Sequence, residues 1–308
     1  MAPERSFEKS GKQEQISSAE QKVFDFLVPK YQKSAIKIED FSDLYGDDVI
    51  TNDLMYVAQV QANIEKRPYT KRALILEALL NEQIELSDWF GPEAHTITPS
   101  DFDDFRNGVD IVIEFEEDGG FKQLALGVDV ASSANHLTDK LAQIKKRILN
   151  GRLTVMKYFK SERSNIRKEL RGIPNLVIGA SGEVIRDLSD LWLAANSSKF
   201  RRDKDLSPES IDNQKKRAKE SHRQLADHRT KALILREMKM QLEVFIPFAL
   251  KNKQEEVAEK FSKLLQVVNE LLKEVKLSDE DELKNEQDYF FVSLAEQLRS
   301  FEDIVIPS

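Results

Sequence analysis

Val109-Asp110-Ile111-Val112-Ile113-Glu114-Phe115, then Glu117-Asp118-Gly119-Gly120, then Leu124-Ala125-Leu126-Gly127-Val128-Asp129-Val130, is the stretch that decides the fold. Val109, Ile111, Ile113 and Phe115 alternate on one face of a strand, and Leu124, Leu126, Val128 and Val130 do the same on a second. The two glycines between them suit a hairpin turn. Closing the strands around Gly119-Gly120 pairs Val109 with Val130, Ile111 with Val128, Ile113 with Leu126 and Phe115 with Leu124, so apolar meets apolar throughout. The same register sets Asp110 opposite Asp129. Aspartate is disfavoured in strands, and facing like charges destabilise a sheet. Either a divalent cation compensates, or the pair lies at the open end of the hairpin and is solvated.

Composition narrows the class. The 308 residues carry a net charge of −8 and no cysteine, which removes disulfides, thiolate metal sites and a cysteine nucleophile. The polar, charged beginning lacks the apolar segment of a signal peptide, and no apolar run approaches a membrane span. The expectation is a soluble cytoplasmic protein with no membrane partner. Charge is unevenly spread. Between Lys140 and Arg171 lie Lys140, Lys145, Lys146, Arg147, Arg152, Lys157, Lys160, Arg163, Arg167, Lys168 and Arg171, opposed only by Glu162 and Glu169. Local charge, not the whole-chain balance, is what meets phosphate. Lys157, Lys160, Arg163 and Arg167 are therefore the candidate nucleic-acid contacts, against the plainer reading of a solvated surface.

Outward from the hairpin, hydrophobic spacing predicts a disordered tail over 1–17 and N-terminal helices over 18–67, at Ala19–Lys33 and Asp47–Glu65. An α/β core follows over 68–196. It begins with a helix at Thr70–Leu86, whose stripe is Ala73, Leu76, Leu80 and Ile84. Gly91–Asn107 reads as loop, holding at most a short strand at His95–Thr98. After the hairpin come a helix at Asn135–Leu149, strands at Leu153–Phe159 and Asn175–Ala180, and a helix at Ser181–Ala195. Asn196–Ser210 is a polar boundary, and Ser207-Pro208-Glu209 starts a C-terminal helical domain over 207–308. There Val257, Phe261, Leu264, Val268, Leu271 and Val275 form one apolar stripe, and Ser278-Asp279-Glu280-Asp281 resembles a capping box. A helical hairpin or bundle is expected, open to a protein partner or to self-association. The fold class is α/β, a mixed sheet flanked by helices.

Two more residues bear on the aspartate pair. Glu77 shares the core-facing stripe of its helix, a costly place for a carboxylate unless it is paired or reaches water. Lys140 lies one turn into the helix after Asp129 and flanks its apolar face; Lys145 is on the opposite flank. Together Glu77, Asp110, Asp129 and Lys140, with Gly108-Val109-Asp110 and Gly127-Val128-Asp129-Val130-Ala131, resemble the PD-(D/E)XK nuclease superfamily, the restriction-endonuclease-like fold. The resemblance covers about Thr70 to Ala180. Asp101-Phe102-Asp103-Asp104-Phe105-Arg106-Asn107-Gly108-Val109-Asp110 and Val155-Met156-Lys157-Tyr158-Phe159-Lys160-Ser161-Glu162 are also similar to a set of uncharacterised bacterial proteins. One departure is plain: the family's lysine would stand two residues after Asp129, where this chain has Ala131.

The resemblance implies a metal-dependent nuclease or phosphodiesterase. Asp110 and Asp129, with a main-chain carbonyl such as that of Val130, would hold Mg²⁺ or Mn²⁺; Lys140 would be the displaced lysine, and Glu77 would orient the cluster. It leaves DNA and RNA open as substrates. The alternative is a catalytically inactive relative that binds nucleic acid or protein through its basic face and C-terminal helices. A third is an adaptor acting through the Val257–Val275 stripe alone. Gly179-Ala180-Ser181-Gly182, between a strand and a helix, could receive a phosphate but matches no phosphate-binding motif. His95, His136, His222 and His228 show no metal-ligand spacing.

Overall fold

The computed structural model describes residues 16–64, 70–116, 123–134, 136–200 and 208–301. The helices before the sheet are α1 (Ser18–Phe26), α2 (Val28–Lys33), α3 (Ser42–Tyr45), α4 (Asp47–Ile64) and α5 (Thr70–Ser87). Next come β1 (Ala94–Ile97), α6 (Asp101–Asn107), β2 (Ile111–Glu116), β3 (Gln123–Ala131), α7 (Leu137–Leu149), β4 (Thr154–Ser161), β5 (Ile166–Ile173), β6 (Asn175–Gly179) and α8 (Gly182–Ala195). The chain ends in α9 (Pro208–Ala226), α10 (Thr230–Lys251), α11 (Glu255–Glu274), α12 (Asp279–Glu286) and α13 (Tyr289–Leu298). The fold is α/β, with a four-stranded mixed sheet flanked by helices. Its order is β1-β2-β3-β6, antiparallel across the first two junctions and parallel at the last.

The β2–β3 ladder has the register that apolar pairing demands: Ile111 meets Val128, Ile113 meets Leu126 and Phe115 meets Leu124. These side chains pack with Ile75, Leu76 and Leu79 of α5 in the main core. The expected turn at Glu117-Asp118-Gly119-Gly120 lies outside the described residues. Val109 departs from expectation. It packs on the opposite face, with Val112, Met156, Phe159 and Ile173, because Gly108 closes α6 in the left-handed region and the chain bends before the ladder begins. Residues 1–15 of the expected tail also lie outside the described residues; Ser17 caps α1 through a capping box.

Two segments were under-read from sequence. Gly91–Asn107 holds the short strand expected near His95–Thr98, as β1, and also the helix α6, which was not foreseen. Ser100 caps α6, accepting from Asp103 N, and Gly108 ends it. Ile166–Ile173 is a strand whose alternation is hidden by Arg167, Lys168, Glu169 and Arg171. Strand β5 pairs antiparallel with β4, and this hairpin covers one face of the sheet.

The helices beyond Pro208 share one continuous apolar core with the sheet. Phe245, Phe261, Leu264 and Phe290 belong to the same cluster as Leu126 and Val128. Helix α10 also stands where a further strand would pair with β6. Gln241 Oε1 accepts from Val177 N at 2.9 Å, and its Nε2 donates to Val177 O at 2.7 Å. Glu237 Oε2 accepts from Gly179 N at 2.9 Å. Two side chains thus satisfy main-chain groups that the sheet edge leaves over. Gln241→Ala is expected to cost about 2–4 kcal/mol in equilibrium urea unfolding, because the buried N–H and C=O of Val177 both lose their partner. A loss below about 0.5 kcal/mol would show that the pairing contributes little.

Candidate active site

The carboxylates gather where α5, α6 and the open end of the β2–β3 hairpin meet. The left-handed Gly108 delivers the chain from α6 to Asp110. Asp110 N donates to Val128 O at 2.8 Å, and its own Oδ2 accepts from Val130 N at 2.6 Å. The Asp110 carboxylate thereby takes a bond that a ladder carbonyl would otherwise make. Tyr31 Oη donates to the Asp110 carbonyl at 2.6 Å and ties α2 to the same point. Asp129, on β3, is 8 % exposed. Lys140, one turn into α7, places Nζ on Asp129 Oδ1 as an ion pair. Glu77, on α5, is likewise 8 % exposed; it makes no hydrogen bond among the described residues and lines the cleft with Asp110 and Lys140. All four expected site residues, Glu77, Asp110, Asp129 and Lys140, are thus neighbours.

Sequence reasoning missed a fifth, Asp104. It lies on α6, its carboxyl group feels the charge of Asp110, and it lines the same cleft. The signal was the helix bounded by Ser100 and Gly108, which sends its acidic residues in different directions. Asp103 is fully buried and structural, accepting from Lys157 N at 2.8 Å and Tyr158 N at 2.9 Å. Asp104 joins the cluster.

Electrostatics set the character of the site. Burial, then the charge of Asp110, pushes Glu77 well above the usual carboxylate range, with Lys140 pulling it partly back. Burial followed by Asp110 and Glu77 does the same to Asp104. Asp129 is pushed up to about 7 by burial and Asp110, against the pull of Lys140. Burial alone would lower Lys140, but Asp129, Asp110 and Glu77 outweigh it and hold the ammonium above its ordinary value. Four carboxyl groups therefore share one directly bonded cation, with Arg147 acting on Asp129 from farther off.

Such a donor set fits a hard divalent ion: it is all oxygen, desolvated and short of positive charge. Among the described residues no three His, Asp or Glu side chains converge as a ready cage. Mg²⁺ commonly takes only one or two carboxylates and keeps several waters.

The basic block behaves otherwise. Lys157 pairs with Asp53 and lies over the rings of Tyr45, Phe102 and Tyr158. Lys160 is 3.9 Å from Asp40, and Arg167 pairs with Asp43 and donates to Asp40 O. In space these cations face aspartates of residues 40–53, which the linear count could not show. Arg163 borders a separate groove beside His95 and Glu114. Lys145 donates to Ser300 O at 2.6 Å, on the C-terminal side. The Gly179–Gly182 turn is occupied from within, because Asp288 Oδ2 accepts from Ser181 N at 3.2 Å. His136 starts α7 and lies 3.7 Å from Asp139. No described helix is long and apolar enough to cross a membrane.

Comparison with known proteins finds no matching family model, curated protein or solved structure.

The raised carboxyl groups make stability depend on pH. Asp129 binds its proton more tightly folded than unfolded, so its contribution is full below pH about 4 and is lost as pH rises to about 7. Glu77 acts in the same direction. In metal-free protein, Glu77→Gln should therefore melt above wild type at pH 8, and the gap should close at pH 4. A variant that melts below wild type at pH 8 would contradict the assignment.

Proposed function

We propose that this chain is a metal-dependent nuclease or phosphodiesterase of the restriction-endonuclease-like class. The observation that supports the reading is the bond from Lys140 to Asp129 beside Asp110: a lysine touches the aspartate pair although Ala131 stands where the family's lysine usually does. The order of elements supports it too: α5 bearing Glu77, then, after β1 and α6, Asp110 just before β2, β3 bearing Asp129, α7 and, beyond the β4–β5 hairpin, the parallel strand β6.

On this reading Asp110, Asp129 and the main-chain carbonyl of Val130 would hold Mg²⁺ or Mn²⁺. The chemistry such an ion supplies when bound is neutralisation of phosphate charge and acidification of a water. The protein's own groups do the rest. The Val130 N–H fixes the Asp110 carboxylate in one orientation. Lys140, anchored on Asp129, offers a preorganised charge to the oxygens of the pentacovalent transition state. Glu77, which makes no hydrogen bond among the described residues, can accept from a water and orient it. Asp104 adds its carboxyl group to the cluster from the α6 side.

The test is cleavage of labelled DNA and RNA with Mg²⁺, Mn²⁺ or chelator. Wild type should cleave only with metal. Lys140→Ala should lose roughly a hundredfold in rate with substrate binding nearly intact, whereas Lys145→Ala should cost little. Equal cleavage by Lys140→Ala would remove the lysine from the mechanism. The second reading, an inactive module binding nucleic acid or protein, draws on the absence of a ready three-ligand cage among the described residues. It would appear as binding with no cleavage under any metal.

A further inference from the structure

The carboxylate cluster does not lie on an open face. It forms one wall of a cleft of about 800 Å³, and the opposite wall comes from residues 32–39 and α4. That wall is fastened to the core at several points. Ile36 N donates to Thr98 O at 3.1 Å, Tyr45 Oη to Lys157 O at 2.8 Å and Tyr158 Oη to Asp53 Oδ2 at 2.6 Å. Gln61 of α4 donates to Asp101 of α6 at 3.0 Å. The Lys157–Asp53 and Arg167–Asp43 ion pairs add to the clamp. Behind it lies a small apolar core of Ile38, Phe41, Ile50, Val57 and Tyr158.

Accepting the phosphodiesterase reading, we infer that this cleft selects its substrate: it takes a single strand or a strand end, one or two nucleotides at a time, and excludes an intact duplex. Three observations carry this. First, the volume is that of a site enclosing a small molecule, roughly 300–1,000 Å³, whereas duplex readers spread over about 1,000 Å² or more of strongly positive surface. Second, three of the four basic residues that would make such a surface, Lys157, Lys160 and Arg167, face Asp53, Asp40 and Asp43. Third, the cleft has its own fittings for one extended strand. Lys33 and Lys37 are exposed at its lining and make no ion pair among the described residues, so they can meet phosphate. Leu54 and Phe105, only partly buried, present apolar surface on which a base can lie. Glu77, nine-tenths buried and without a hydrogen-bond partner among the described residues, faces the same space.

The experiment uses the full chain with Ca²⁺, and fluorescence anisotropy of labelled short dT and rU oligonucleotides against the corresponding duplexes, followed by cleavage with Mn²⁺. At least one single strand should bind about tenfold or more tighter than its duplex. The Lys33→Glu/Lys37→Glu double variant should lose roughly tenfold of that affinity with an unchanged circular dichroism spectrum. If the double variant misfolds, Lys37→Gln replaces it and should weaken binding in the same direction. Duplex binding equal to or tighter than single-strand binding, or no binding of either, overturns the inference. Cleavage separates it from the reading it rests on: selective binding without cleavage overturns the enzyme and keeps the cleft, while equal cleavage of duplex and single strand keeps the enzyme and overturns the cleft.

Discussion

Everything in this molecule that points to chemistry depends on one constraint: the register of β2 against β3 brings Asp110 and Asp129 together at the end of a buried ladder. Their charges cannot spread into water, because α5 and α6 close over them with two more carboxyl groups, Glu77 and Asp104. Desolvation and repulsion from neighbouring carboxylates push Glu77, Asp104 and Asp129 toward their neutral forms, and the ammonium of Lys140 partly offsets this at Glu77 and Asp129. A fold that wanted only stability would replace these carboxyl groups with amides or alkyl chains. Carboxyl groups so perturbed, gathered in a cleft, mark a candidate functional site.

The remainder of the structure holds that end of the sheet in place from two sides. On one, α10 completes the edge of β6 with Gln241 and Glu237, so the long C-terminal helices are part of the core that supports β3. On the other, the clamp formed by Lys157, Tyr158 and Arg167 with Asp40, Asp43 and Asp53 fixes the wall opposite the carboxylates. The basic block is thereby a fastening as well as a charge. It gathers cations in sequence and distributes them among aspartates in space.

Much of this was legible in the sequence because burial writes itself as periodicity. The alternation in Ile111–Phe115 and Leu124–Val130 gave the register, and the stripe of α5 gave the orientation of Glu77. The spacing from Asp129 to Lys140 placed the lysine within reach. Where local chemistry overrode periodicity, the reading failed. A left-handed glycine turned Val109 to the other face, and the short α6 was concealed in a run of aspartates, so Asp104 went unseen. The pairing of Lys157 and Arg167 with residues more than a hundred positions earlier has no linear signature at all. Neither does an amide side chain taking the place of a strand.

The central claim is that Asp110 and Asp129 together form a divalent-cation site. Anomalous diffraction from crystals grown with Mn²⁺ tests it most directly. The account predicts one strong anomalous peak bonded to carboxylate oxygens of both aspartates, with Lys140 Nζ displaced from or sharing Asp129. A fully occupied peak elsewhere in the molecule, or no peak at saturating Mn²⁺ with the Lys140–Asp129 pair unchanged, would contradict it.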